Sequence, residues 1–385
     1  MKQKLDNIFG IIKSYDYKSP SYQLIFYCLC LSVIGILAIH SATGGDIQLV
    51  SKQIFGLAAG IVCMMIMALI PYDFLARYYW LMYFINILLL LLVRFAGTYR
   101  GGAKRWIIIA GIQIQPSEIS KLLLLFFFAS LLAHNRQSLN SMKFFIFTAV
   151  TFAVPIMLIM LEPDLSTSIV IIVMYCSVIF VGNFHAKILK TILIIIVPIM
   201  AIVVTLIIIL PAEHNIIPLY QYNRLVGFYE PDNEVAESIR YQQENSILAI
   251  ASGSVTGKGL NNNSITSVKN AEFISEPQTD FIFTIIGEEL GFFGALVTIV
   301  LLALVVIECF RIGIRARESI GKCIAIGYGT LIGMQAFINL GVVTMILPNT
   351  GLTLPFVSYG LSSLTTSFIG IGIVLNVSMR KKLII

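Results

Sequence analysis

Charge is what this sequence has least of. Asp, Glu, Lys and Arg make up 12% of its 385 residues, about half the share found in a soluble domain. That is too little to cover a water-exposed globule of this size, so a soluble enzyme is excluded. Histidine is also sparse: His40, His134, His185 and His214 stand apart and form no ligand cluster. The six cysteines lie within apolar runs or at their inner ends, without the spacing of a zinc site or a disulfide framework. The polar, basic stretch up to Pro20 has no cleavage pattern, so the first apolar run is expected to stay in place.

What is present is long apolar sequence, 58% hydrophobic with a mean hydropathy of +0.90. A transmembrane barrel would need short alternating strands, whereas these runs are continuous. The expected fold is an all-α polytopic membrane protein of ten spanning helices. Their expected positions are 22–42, 53–70, 78–96, 117–134, 144–161, 168–184, 191–210, 282–307, 323–346 and 357–378. An even count puts both termini on one side. With that side cytoplasmic, 16 of the 26 Lys and Arg residues fall on inner segments, as the positive-inside rule requires. The chain reads as one transmembrane domain over 1–385.

Two outer segments break the pattern of short turns. Residues 97–116, GTYRGGAKRWIIIAGIQIQP, carry Arg100, Lys104 and Arg105 on the side that should be poor in cations. Residues 211–281 form one large extracellular loop between helices 7 and 8. Nine acids against four cations give it a net charge of −5, leaving +11 on the rest of the chain. Gly253, Gly257 and Gly259 beside the apolar 247–251 suggest that part of it folds against the membrane surface. Loops of this length in compact proteins are usually functional or disordered.

Chemistry-bearing residues gather at the outer ends of the spans. Lys104, Arg105 and Trp106 place two cations and an amphipathic ring at the interface. Trp there is an ordinary anchor, but cations on this side suit a phosphate or pyrophosphate. In QPSEISK, 115–121, Pro116 and Ser117 start a helix and Glu118 suits its first turn. Lys121 is costly there unless it pairs with Glu118 at i,i+3 or faces a watery cavity. Glu162–Pro163–Asp164 reads first as a turn and helix cap. Asp280 stands where the acidic loop meets the eighth span. It suits a helix cap, a general base or a ligand for a divalent cation, Mg or Mn. Glu288 lies further in, as a substrate contact or as a buried acid paired with a cation such as Lys121. Ser358, Ser362 and Ser363 enter the tenth span, either for close helix packing or as a cavity lining.

Together these segments resemble the SEDS family (shape, elongation, division and sporulation), the RodA- and FtsW-type enzymes of bacterial cell-wall synthesis. The resemblance runs through GAKRWI at 102–107, QPSEISK at 115–121, EPDLST at 162–167, YQQENSILAIASGSVTGKG at 241–259, EPQTDFIF with GEELGF within 276–292, and TGLTLPFVSYGLSS at 350–363. Leu361 departs from the family's usual glycine, and Ala251–Ser254 from its glycine-rich form. The resemblance implies a peptidoglycan glycosyltransferase of the bacterial cytoplasmic membrane. Such an enzyme polymerises lipid II into glycan strands on the outer face, with a class B penicillin-binding protein as transpeptidase partner in an elongation or division complex. It implies Asp280 as the essential base, alone or through a divalent cation. Lys121, Arg105 and Lys104 would hold the pyrophosphate, and Trp106 would shape the cavity mouth. The texture of 241–292 leans toward the RodA type, and nucleic acid is not an expected partner. The rival reading is a lipid II flippase. It fits less well because the unusual charges collect at the outer face, whereas alternating-access sites lie near the midplane, and no internal repeat is visible.

Overall fold

The computed structural model describes residues 15–16, 20–182 apart from 101–102, 110–111 and 140, isolated positions between 184 and 228, and then 237–262, 267 and 274–380. The described helices are α1 (Tyr22–Ala42), α2 (Ile47–Leu69), α3 (Tyr72–Ala76), α4 (Tyr79–Ala96), α5 (Pro116–His134), α6 (Met142–Leu161), α7 (Leu165–Val181), α8 (Glu237–Ser252), α9 (Ile282–Arg315), α10 (Ser319–Val343) and α11 (Leu361–Ser378). Eight of them are long and apolar enough to cross a membrane, and α7 is a shorter apolar helix of 17 residues. The expected span at 191–210 lies outside the described residues.

Several helix ends differ from the expected ones for local reasons. Helix α2 starts at Ile47, before the expected residue 53. Its first turn is held by Asp46, whose carboxylate accepts from the Gln48 and Leu49 amides. Helix α11 starts at Leu361 rather than 357, because 354–358 closes a turn through Val357 and Ser358 amides onto the Leu354 carbonyl. The all-α expectation needs one addition. The basic segment 97–116 folds as a three-stranded antiparallel sheet of β1 (Thr98–Arg100), β2 (Ala103–Ile109) and β3 (Ile112–Ile114). The β-branched run Ile107–Ile109 and the alternation of Ile112–Ile114 suit strands better than a helix.

Helix α5 is the axis of the bundle: 83% of its apolar window is buried, against 22% for α2, α4 and α9. The latter three present apolar side chains outward, as lipid-facing helices do. Helices α2 and α11 approach closely because both carry glycine at the contact. A Cβ on Gly372 would stand 2.4 Å from the Met64 carbonyl oxygen. At one end of the bundle Tyr15 pairs with Arg380 as an antiparallel bridge, so the first and last described residues lie on the same side. Arg380 also binds Asp73 and, at 2.5 Å, Glu318, with its guanidinium over the Tyr72 ring. The opposite end carries the 97–116 sheet, the 162–164 turn, the start of α9 and the 344–360 connection.

Candidate active site at one end of the bundle

Strand β2 sends its two basic side chains to different elements. Lys104 donates to the Arg94 and Phe95 carbonyls at 3.1 and 3.0 Å, closing the C-terminal turn of α4. Arg105 donates from Nε to the Glu162 carbonyl at 3.0 Å and from Nη2 to the Pro163 carbonyl. The basic strand is thereby bolted to the α6–α7 turn. Trp106 is half-buried on the same strand, paired in register with Thr98.

That turn organises two helix starts. Asp164 caps α7 by accepting from the Thr167 amide, and its Oδ2 accepts from Ser117 Oγ and Gln115 Nε2, both at 3.1 Å. The first turns of α5 and α7 are thus joined through one buried carboxylate. The turn-and-cap reading of Asp164 is correct, and its reach across to α5 is added by the tertiary structure.

Lys121 is buried and takes the i,i+3 arrangement. Its Nζ lies 2.7 Å from Glu118 Oε1 and 2.8 Å from Gln335 Oε1. Gln335 passes the connection on, donating to the Thr353 carbonyl at 3.0 Å. Thr353 Oγ1 meets Ser363 Oγ at 3.0 Å, and Ser362 Oγ accepts from the Gln115 amide at 3.3 Å. Glu118, Lys121, Tyr328, Gln335, Thr366 and Ser367 line a narrow cavity inside the bundle. A buried ammonium with two oxygen acceptors on a cavity wall satisfies the cost of placing charge there.

Asp280 sits on a segment fastened from several sides. Asn339 Nδ2 donates to its carbonyl at 2.8 Å, Ser358 Oγ to the Thr279 carbonyl at 2.6 Å, and the Tyr359 amide to the Gln278 carbonyl at 2.9 Å. Ser358 therefore acts as a staple between 279 and 354, since its Oγ also accepts from the Leu354 amide. Next to the carboxylate stands Gly351, with φ +75°. A Cβ there would lie 3.1 Å from Arg224 Nη1 and 3.4 Å from Asp280 Oδ2. Glycine lets the 350 turn approach both groups. Surrounding protein strips water from the Asp280 carboxyl and raises its pKa from 3.8 to about 6. Arg224 and Arg105 oppose that rise, while Glu276 and Asp164 add to it. Asp280, Arg105, Asp164 and Arg224 thus feel one another's charge across four separate segments. Arg224 was visible in the sequence only as one of the loop's four cations. Gln335 and Asn339, interior amides of an apolar helix, gave no local signal at all.

Glu288 pairs elsewhere than expected. Its partner is Lys258 of the large loop, 2.7 Å away, not Lys121. The adjacent Glu289 accepts from Ser41 Oγ at 2.5 Å and from the Asn261 amide at 3.3 Å. The cause is a break in α9 at Gly291, where φ is +64°. The break releases the Phe292 amide, which donates to the Ser254 carbonyl. The Glu288 and Glu289 carbonyls accept from the Lys258 and Gly259 amides. Backbone groups freed by a kink need such partners. The loop segment 253–259 supplies them, so Glu288 fastens the loop to the bundle.

The donor set for a resident divalent cation is thin. Among the described residues no group of three or more His, Cys, Asp or Glu side chains comes together. Asp164 and Glu276, the acids that act on Asp280, share its surroundings with Arg105 and Arg224. These residues do not fit a metal centre, and no step is assigned to one.

The family model for cell cycle proteins of the FtsW, RodA and SpoVE type matches residues 22–383. A probable peptidoglycan glycosyltransferase FtsW of Bacillus subtilis is 34% identical over 97% of this chain and 92% of its own length. Peptidoglycan glycosyltransferase MrdB of Escherichia coli is 31% identical, covering 94% of each chain. In three dimensions the fold is similar to a chain from a structure on the coordination of polymerization and crosslinking by a peptidoglycan synthase complex. That likeness has a TM-score of 0.75 at 24% identity, over 94% of this chain and 98% of the other. The rod shape determining protein RodA of Thermus thermophilus follows, with a TM-score of 0.69 at 23% identity over 95% and 99%. The chain belongs to the FtsW/RodA/SpoVE family, the SEDS family its motifs resemble, and is a multi-pass protein of the bacterial membrane.

Proposed function

We propose that this protein extends glycan strands from lipid II at the membrane face that carries Arg105, Lys121 and Asp280, with Asp280 as general base. Family membership supplies the coarser statement: the chain is a peptidoglycan glycosyltransferase of bacterial cell-wall synthesis. The observation that carries the finer one is the placement of Asp280 and Arg224 together at the Gly351 turn, with Arg105 on a third segment close enough for its charge to act on the carboxyl. A carboxylate titrating at about 6 is ionised at neutral pH and still basic enough to take a proton. The acceptor hydroxyl gives its proton to Asp280 and its oxygen forms the new bond to the anomeric carbon. The glycosyl–phosphate bond breaks, and the electron pair leaves with the lipid pyrophosphate. Guanidinium groups neutralise that charge as it develops, with Arg224 and then Arg105 acting on the Asp280 surroundings and Lys121 on the cavity wall as a further cation.

The positive-inside distribution assigns this face to the outside of the cytoplasmic membrane. A transpeptidase of the class B penicillin-binding type is the proposed partner, in keeping with the likeness to a chain of a synthase complex. Whether the chain serves elongation or division is read from a depletion strain: rounded cells mark the former, filaments the latter. The decisive assay is lipid II polymerisation by wild type and Asp280→Ala, purified with the partner. Loss of polymer in a folded Asp280→Ala protein is the expected outcome. Full polymerisation by that variant removes Asp280 from the mechanism. Transbilayer movement of lipid II by wild type, with no polymer formed, makes the chain a flippase.

A further inference from the structure

The Glu162 side chain is unused by this mechanism. It closes α6, is 2% exposed, and neither carboxyl oxygen has a hydrogen-bond partner. An ionised carboxylate left so would forfeit its solvation for nothing. The charged groups acting on it are Asp164, in its own turn, and Arg105, on β2. Asp164 is already satisfied by Ser117, Gln115 and the Thr167 amide. Arg105 directs Nε and Nη2 at the main-chain carbonyls of Glu162 and Pro163, bypassing the carboxyl beside them. From the start of α5, Gln115 and Ser117 bring no charge, and Glu118 and Lys121 neutralise each other. The negative end of the α6 dipole adds to the cost of a second anion in this turn.

We propose that Glu162 is a positioning residue for Arg105: held as the neutral acid, it leaves the charge of the guanidinium already anchored on this turn to an anionic group in the site, and on ionising it takes that charge for itself. The proton it loses passes to water. This inference rests on the reading of Arg105 as a pyrophosphate contact. Burial and Asp164 push the Glu162 carboxyl up to about 8, against the pull of Arg105, so the change falls in an accessible range.

Two measurements test it. The first needs no substrate. The infrared difference between wild type and Glu162→Gln in detergent should contain a protonated-carboxyl stretch at pH 7 that is gone at pH 9. Absence of that band overturns the proposal. The second compares lipid II turnover at limiting substrate at pH 9 and pH 7. One unit above the midpoint, the wild-type ratio should fall about ten-fold, with the loss in KM. In Glu162→Gln, which cannot ionise, the ratio should stay near one. An alkaline loss of equal size in both proteins, with the infrared band present, overturns the positioning role and leaves Glu162 a buried acid only. No polymerisation by wild type at any pH would instead mark failure of the glycosyltransferase reading, independently of the infrared result.

Discussion

At the residue scale, the site is a set of charges tuned by what surrounds them. As the proposed base, Asp280 has to be ionised, so activity should be fully present above its raised pKa and lost as pH falls through about 6. A tenfold loss one unit below that midpoint, in a pH series of lipid II polymerisation, is the expected profile. An acid limb near 4 would place the base outside this environment. Lys121 and Glu118 make a different kind of pair, buried and mutually dependent. Lys121→Met strands the Glu118 carboxylate and should cost about 3–5 kcal/mol of stability. Adding Glu118→Gln should return much of that loss in thermal melts, because the stranded charge is what costs.

At the element scale, the kinked α9 and the 253–259 segment form one interlocked unit. Both glycines at the contact have positive φ. A Cβ on Gly257 would lie 2.1 Å from the Glu289 carbonyl oxygen, and one on Gly291 would lie 2.3 Å from the Gly257 amide nitrogen. Neither neighbour can yield, since both are backbone. Gly257→Ala should therefore detach the segment, exposing 253–259 to limited proteolysis and lowering polymerisation at least ten-fold. Lys258→Ala leaves the main-chain bonds but takes the cation from the buried Glu288 carboxylate, so it should lower polymerisation and expose 253–259 to protease, in both respects less than Gly257→Ala does.

At the scale of the whole molecule, the pairing of Tyr15 with Arg380 puts the first and last described residues on one side, with the proposed catalytic groups at the other end. The proposed orientation puts the first side in the cytosol. In a cysteine-free background, Gly44→Cys should be labelled by a membrane-impermeant thiol reagent in intact spheroplasts. Arg317→Cys should be labelled only after permeabilisation. Both positions are exposed turns at opposite ends of the bundle, and the reverse pattern would invert the orientation.

The membrane fold was legible in composition and run length, because a bilayer selects for continuous apolar sequence whatever the tertiary contacts. Nine of the expected spans correspond to described helices, with ends displaced where a cap such as Asp46 or a turn such as 354–358 decides the boundary. The family, too, was written in local motifs, since 102–107, 115–121 and 162–167 each keep their residues together along the chain. Partnership was not. Lys121 with Gln335, Asp280 with Arg224 and Arg105, and Glu288 with Lys258 join residues far apart in sequence, and no periodicity encodes such pairs. The sequence by itself determined that charges so costly in a membrane must be paired or put to use. Only tertiary packing decided which of them are structural and which share the site. An ion pair's strength depends on distance and on how much water is excluded, and both are set by the folded bundle.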